Sequence, residues 1–375
     1  MKRLLAPLFA LGILLSACSP VADNGTGPIK IGVIAPLTGD VSAFGTDMMN
    51  AILMAVEEVN ADGGINGREI KLIAEDARCT GADSASATQK LVNVDKVVAI
   101  IGGLCSGETL AAAPIVESAG IPLLSPASSS PDITQAGDFI FRNYPSDALK
   151  TVVMADYIKE LGLKNVAIIT ENTDYATALR NALVENVGED NVVFDELVDP
   201  NTKDFRTLMT RLKDVDFDVF VPNGQSDSTV AAMMPQLREQ GLDQLALGTD
   251  IADSATLADI AKEAVEGMQL VNTSSELGAG GEDSFISRFI VKYGDFQGSS
   301  SFAALSYDAV GVLAAAISSV GTDGEAIRDY LYAHPYTGVA GTFSFDDNGD
   351  VVGIGYALKE FQDGTIVELR QISAE

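Results

Sequence analysis

Short apolar runs alternate along this chain with stretches whose apolar side chains recur every three or four residues. "IKIGVIAPL" opens the pattern as a β-rich run ending in Pro and Gly turn formers. From Thr46, the positions Met49, Ile52, Leu53, Val56 and Val59 fall at helical spacing, and "NADGGING" stops the helix. "REIKLIAED", "KVVAIIGG" and "GIPLLSP" read as further strands, with helices over 83–94 and 108–119 between them. After "FIFRNYPSD" the pattern restarts with helix 147–161, strand "KNVAIIT" and helix 175–187. Strand "NVVFDELV", helix 203–213, strand "FDVFVPNG", helix 227–240 and strand "QLALGTD" follow. Apolar strands separated by helices predict βαβ units and mainly parallel sheets flanked by helices. Two such series predict two similar α/β lobes. The end differs: "GTFSFDDNGDVVGIGYALKEFQDGTIVELR" is strand-rich, with Asn348-Gly349 and Asp363-Gly364 as hairpin turns.

The N-terminus departs from this alternation. "MKRLLAPLFALGILLSACSP" places two cations before the twelve residues Leu4 to Leu15, which are apolar but for Pro7 and Gly12. That stretch is short of the roughly 20 helical residues a bilayer core requires. A charged start, a short apolar core and small residues read as an export signal over residues 1–17. Leu15-Ser16-Ala17-Cys18 resembles the bacterial lipobox, which implies cleavage before Cys18 and a lipid on it. Residues 18–28, carrying "SPVADNGTGP", then form a tether reaching roughly 35 Å when extended. The expected location is extracytoplasmic: lipid-anchored on the outer side of the cytoplasmic membrane or in the periplasm.

Composition narrows the function. Hydrophobic residues make up 47% of the 375, and the chain after the leader exceeds one comfortable core. A formal charge of −29 repels phosphate backbones, so nucleic acid is not expected as a partner. One histidine and three cysteines offer no metal-ligand set, and "DDNGD" lacks the spacing of a calcium loop. No phosphate-cradling G-x-x-x-x-G-K-[ST] sequence occurs, and no metal or cofactor is expected.

Open α/β sheets bind ligands beyond the carboxyl ends of their strands. There this chain carries "PLTGDVSAFG", "GGLCSGET", "SPASSSPD", "TENTDYA", "PNGQSDS" and "GTDIADS". "GGLCSGET" feeds a helix start, where free N–H groups and the helix dipole favour an anion. The same serines would also serve as helix caps and turn formers, the commoner use of each taken singly. Phe44 in a Gly-rich loop and Tyr175 after a strand point towards a cleft, whereas Phe302 alone fits a core position.

Cys105 admits two chemistries. Gly103-Leu104-Cys105-Ser106-Gly107 fits G-x-C-x-G between a strand and a helix, a cysteine form of the nucleophile elbow, with Asp250 and His334 following in order. Alternatively, with Cys18 lipidated, Cys79 and Cys105 are an even pair in an oxidising compartment. A disulfide there would close a loop of about 25 residues and contribute roughly 3.5 kcal/mol.

The segments "IGVIAPLTGDVSAFG", "AVEEVNADGGINGREIKLIAEDARC", "VVAIIGGLCSGET" and "GIPLLSPASSSPDIT" resemble the periplasmic leucine/isoleucine/valine-binding proteins of ABC importers. Looser matches, "DYATALRNAL", "DFRTLMTRLK" and "FSFDDNGDVVG", extend the resemblance over nearly the whole chain after the leader. It implies two lobes joined by three crossovers around a ligand cleft: 29–147 plus 274–357, and 148–273 plus 358–375. It also implies that Cys79 and Cys105 pair. Ser106, Ala127 and Ser129 match positions that hold the ligand's α-carboxylate, and Asp250 matches the acidic position that receives the α-ammonium. Phe44, Phe302 and Tyr175 match walls around the ligand's side chain. Gln225 departs from the pattern, standing where a Tyr often assists the ammonium.

The implied function is that of a substrate-binding lipoprotein of an amino-acid ABC importer, not an enzyme. It would close on a branched-chain or similar amino acid as a monomer and dock on a membrane permease. The ligand-sensing lobe of a signalling system would carry the same soluble domain.

Overall fold

Residues 25, 27–200, 202–274 and 280–372 are described by a computed structural model. The leader and Cys18 lie outside them. The first lobe begins with β1 (Ile29–Ala35), α1 (Ser42–Ala61), β2 (Ile70–Asp76) and α2 (Gly81–Lys90). It continues with β3 (Ala99–Ile101), α3 (Ser106–Ala119), β4 (Leu123–Ser125) and β5 (Ile140–Arg142). The second lobe takes α4 (Asp147–Glu160), β6 (Val166–Glu171), α5 (Asp174–Val187), β7 (Val192–Val198) and α6 (Arg206–Leu212). Next come β8 (Val219–Asn223), α7 (Asp227–Glu239), β9 (Leu245–Gly248), α8 (Ala255–Ala261) and β10 (Gln269–Thr273). The chain then returns to the first lobe for α9 (Phe285–Tyr293), α10 (Ser300–Val320) and α11 (Gly324–Ala333). β11 (Tyr336–Gly338), β12 (Gly341–Phe345) and β13 (Val351–Val352) follow, and β14 (Tyr356–Gln362) and β15 (Thr365–Ile372) complete the second lobe.

Side-chain alternation along the strands sets the layers. In β1, Ile31, Val33 and Ala35 face one way and pack on α1 and α10, while Ile34 faces the layer of α2 and α3. β6 repeats the arrangement: Ala167 and Ile169 pack with α6 and α7, Val166 and Ile168 with α4 and α5. Each such fully buried Ile or Val contributes about 1.5–3 kcal/mol. The first sheet runs β2-β1-β3-β4-β5, all parallel. The second runs β15-β14-β10-β9-β8-β6-β7, parallel except for the terminal hairpin. Asp363 and Gly364, at φ 52° and 74°, join β14 to β15 as the two-residue turn their sequence predicts.

Three crossovers, after β5, β10 and β13, connect the sheets. The first is tied to the second lobe: the Tyr144 hydroxyl donates to Asn272 Oδ1 on β10 at 2.7 Å, and Asn272 Nδ2 donates to Asp253 Oδ2 at 2.6 Å. Lys359, buried on β14, pairs with the same Asp253 oxygen at 2.7 Å.

Two helices differ from the sequence expectation. α1 starts at Ser42 rather than Thr46, which places Phe44 on the helix's core face instead of in a loop. α2 gives way at Leu91 to a wide turn over Leu91–Asp95, ended by Lys96 in the left-handed region. α10, the apolar helix among the described residues long enough to cross a membrane, is packed into the first lobe's core against α1.

Candidate functional site

The ends of β3 and β4 build one wall of the cleft. Gly102 at φ 127° turns the chain beside β1, where any Cβ would lie 2.0 Å from the Ile34 carbonyl oxygen. Behind the turn, the buried Glu108 carboxylate accepts the amides of Cys79 (2.8 Å), Leu104 (3.0 Å) and Cys105 (3.1 Å). Burial pushes its pKa up to about 7, against the lowering effect of those amide bonds. A disulfide joins Cys79 to Cys105, so the residue that caps α3 is fixed to the loop after β2. The sulfur is thereby spent, and His334 stacks on Tyr330 at the exposed end of α11. The nucleophile-elbow alternative therefore lacks its free thiol.

The serines divide by role. Ser125 and Ser128 hydroxyls donate to the Gly103 carbonyl at 2.7 and 3.0 Å and stitch the two loops together. Ser106, the first residue of α3, accepts the Ser130 amide at 3.1 Å. Ser129 donates to Asp147 Oδ2 at 2.9 Å, across to the second lobe.

The facing wall comes from the second lobe. Thr173 caps α5 and sets Tyr175 into the cleft; its hydroxyl donates to Asp250 Oδ1 at 2.8 Å and lies 2.9 Å from the Thr249 hydroxyl. Asp250, just past β9, opens a one-turn 3₁₀ segment, yet its side chain turns away from that segment's amides. It pairs instead with Lys150, wholly buried on the first turn of α4, whose ammonium also lies 2.6 Å from Asp147 Oδ1. Burial alone would lower the Lys150 pKa, but the two carboxylates outweigh it and raise it. Burial raises the Asp147 carboxyl, Lys150 acting against it. With both carboxylates ionised, the two acids and one ammonium leave a surplus negative charge between the lobes.

Between the walls lies a cleft lined by Ser106, Ala127, Ser129, Tyr175, Gln225, Asp250 and Phe302, with Leu104, Cys105 and Ile251. The first lobe contributes hydroxyls and a helix start, the second a carboxylate and a phenol, and Leu104, Ile251 and Phe302 add apolar surface. A model of the family described as periplasmic binding protein matches residues 28–364.

The chain belongs to the periplasmic binding protein family. An "Amino acid binding protein" of Pseudomonas aeruginosa is 30% identical over 367 residues, covering 95% of this chain and 97% of the relative. A "Leu/Ile/Val-binding protein" of Escherichia coli K12 is 28% identical over 365 residues, covering 95% and 98%. Among solved structures, a branched-chain amino acid transporter substrate-binding protein of Streptococcus pneumoniae, in complex with isoleucine, superposes with TM-score 0.81. It is 29% identical and covers 91% of this chain and 99% of its own.

In this periplasmic binding protein the fold therefore gathers seven of the eight residues expected at the ligand site. Phe44 is the exception. It is buried on α1 behind Phe302, with ring centroids 5.9 Å apart, while Phe302 lines the cleft and meets Tyr144 edge-on at 5.1 Å. Phe302 is thus both the core residue its local setting suggests and a cleft wall, while Phe44 leaves the loop because α1 begins one turn earlier than its apolar spacing shows. Gln225 lines the cleft and donates its backbone amide to Glu171 at 2.8 Å.

Lys150 and Asp147 went unseen from the sequence. The sign was present: Lys150, Val153, Met154 and Tyr157 share one α4 face at i, i+3, i+4 and i+7, and all four are buried. A lysine on a buried stripe demands an acidic partner.

Proposed function

We propose that this protein is the extracytoplasmic substrate-binding component of an ABC importer, taking leucine, isoleucine, valine or a similar amino acid. The observation that carries this reading is the polarity of the cleft. Neutral donors at the start of α3 and in the β4 loop face Asp250 and Tyr175 across a space flanked by Leu104, Ile251 and Phe302. An amino-acid zwitterion needs that order of groups: donors for its carboxylate, a carboxylate for its ammonium, and apolar contact for an aliphatic side chain. Because the two ends of the ligand meet different lobes, only the closed form makes both sets of contacts, and ligand shifts the population towards closure. The relatives' names support the same ligand class.

In this reading lobe 1 comprises 29–147 plus 274–357 and lobe 2 comprises 148–273 plus 358–375, except that Asp147, Tyr356 and Ala357 go with the helix and sheet of the second lobe. The closed, loaded monomer docks on a membrane permease. Lipid on Cys18 anchors it at the outer side of the cytoplasmic membrane or in the periplasm, a reading that rests on the Leu15–Cys18 pattern. Calorimetric titration of the mature chain against the proteinogenic amino acids tests the ligand class. Saturable heat with an aliphatic member is expected, and none with aspartate or lysine. Absence of heat with every aliphatic amino acid refutes the assignment.

A further inference from the structure

We infer that Lys150 is a positioning and specificity-determining residue for the ammonium end of the cleft, acting through Asp250 without touching the ligand. The inference rests on the amino-acid reading and adds a residue and a discrimination rule to it.

Lys150 has no exposed surface and does not line the cleft, so its role runs through its partners. Its ammonium and the Tyr175 hydroxyl both bind Asp250 Oδ1, and among the described residues no bond engages Oδ2. The carboxylate is thus clamped through one oxygen, leaving the other for a ligand. On the other side Lys150 meets Asp147 Oδ1, while Asp147 Oδ2 accepts from Ser129 at the carboxylate end. A continuous buried chain, Ser129–Asp147–Lys150–Asp250, therefore links the two headgroup ends of the cleft.

The charge balance sets the specificity. With Lys150 present, two carboxylates carry one surplus negative charge, which a single ligand ammonium neutralises. A des-amino acid of the same shape leaves that charge buried and unpaired. Without Lys150 the two carboxylates share a proton. That pair carries the same single negative charge, but its proton can sit on Asp250, and an ammonium binding there requires the proton to move to Asp147 or leave; binding becomes pH-dependent and discrimination against the des-amino acid weakens. The other groups facing Lys150 stay neutral throughout. They are the phenols of Tyr144, whose ring centroid is 5.4 Å from the ammonium, Tyr175 from α5 and Tyr356 from β14, all pushed upward by burial. The Arg142–Asp350 ion pair lies beyond Tyr356.

The test compares leucine with 4-methylpentanoate by calorimetry on the mature chain between about pH 5.5 and 8. Wild type should give a flat leucine affinity. Lys150→Met should weaken leucine at least about tenfold near pH 6, with recovery as pH rises, because binding releases a proton. Lys150→Arg, which keeps the charge, should stay flat. Asp147→Asn supplies a second route should Lys150→Met fail to fold. It neutralises the surplus charge and should shift the preference between leucine and 4-methylpentanoate roughly tenfold towards the latter. Leucine affinity within about threefold of wild type and flat with pH in Lys150→Met, or an unchanged preference in Asp147→Asn, overturns the inference while the amino-acid reading stands. Failure of wild type to bind any amino acid removes both.

Discussion

Replacing Asp250 with asparagine separates two jobs that its carboxylate does in this structure. The side chain is 2% exposed, pairs with Lys150 and accepts from Tyr175. Asparagine keeps the size and one acceptor oxygen, but not the charge. Lys150 would retain Asp147, so its own burial stays compensated, and we expect a stability loss of about 1–3 kcal/mol, the cost of an under-satisfied buried group. Affinity should fall further. A ligand ammonium closed into the cleft would meet the neutral Lys150–Asp147 pair and an amide, and losing one partner of a desolvated charge pair costs about 2–5 kcal/mol. At about 1.4 kcal/mol per tenfold, that is a weakening of roughly 30-fold to several thousandfold. Ser106→Ala should cost only about 1 kcal/mol of affinity, because the amides at the start of α3 remain in place. Urea unfolding measures the first effect and calorimetric titration with leucine the second. A destabilised Asp250→Asn protein that binds leucine within threefold of wild type would mean that Asp250 is merely the counter-ion of Lys150, and the ammonium assignment would fail.

Three further outcomes are expected. Replacing Cys79 and Cys105 together with alanine should lower unfolding free energy by roughly 3.5 kcal/mol through loss of a loop closure. Unchanged stability under reducing and oxidising conditions would contradict that. Glu108 titrates with a folded pKa of about 7 against an ordinary value of 4.5, so the folded state binds the extra proton between them. Its contribution to stability should be complete below pH 4.5 and fall by about 3 kcal/mol as pH passes 7, seen as the difference between wild type and Glu108→Gln across pH. A pH-independent difference would refute it. Cys18→Ser should leave the protein unlipidated and in the aqueous phase of a detergent partition with ligand affinity intact; identical partitioning of wild type would remove the lipobox reading.

What the sequence discloses and what it hides follow from the range of the interactions concerned. Strands such as 29–35 and 166–171 were legible because their apolar content is a local property that burial on both faces requires. The Asp363-Gly364 turn was legible because two successive residues at positive φ call for that chemistry. Boundaries were less so: the first turn of α1 carries Phe44 and little other apolar pattern, and it is fixed by packing against Phe302 and Gly298, more than 250 residues away. The cleft residues came from matching motifs to a family, and that route sees only positions whose residue types the motif specifies.

Lys150 shows where motif matching stops. Its i, i+3 relation to Asp147 is local and readable, as is its place on the buried face of α4. Either feature alone has an ordinary explanation, a surface ion pair or a helix stripe with one exception. What gives the pair meaning is Asp250, a hundred residues on, delivered by the parallel order of β9 beside β10 and β8. The charge of the cleft is therefore a property of the fold. Read without Lys150, Asp250 is a lone acid awaiting an ammonium; with it, Asp250 is one member of a balanced triad whose remaining negative charge awaits one. Both descriptions accept an amino acid, but they part on what happens in its absence. A lone buried carboxylate in an empty, closed cleft would favour opening, whereas the triad keeps all but one charge paired and lowers the cost of closing unliganded. Small-angle scattering of ligand-free wild type and Lys150→Met at about pH 8, towards the end of the range where the variant's carboxylates give up their shared proton, distinguishes them: the variant should be the more open, and equal profiles would assign closure to contacts other than this triad.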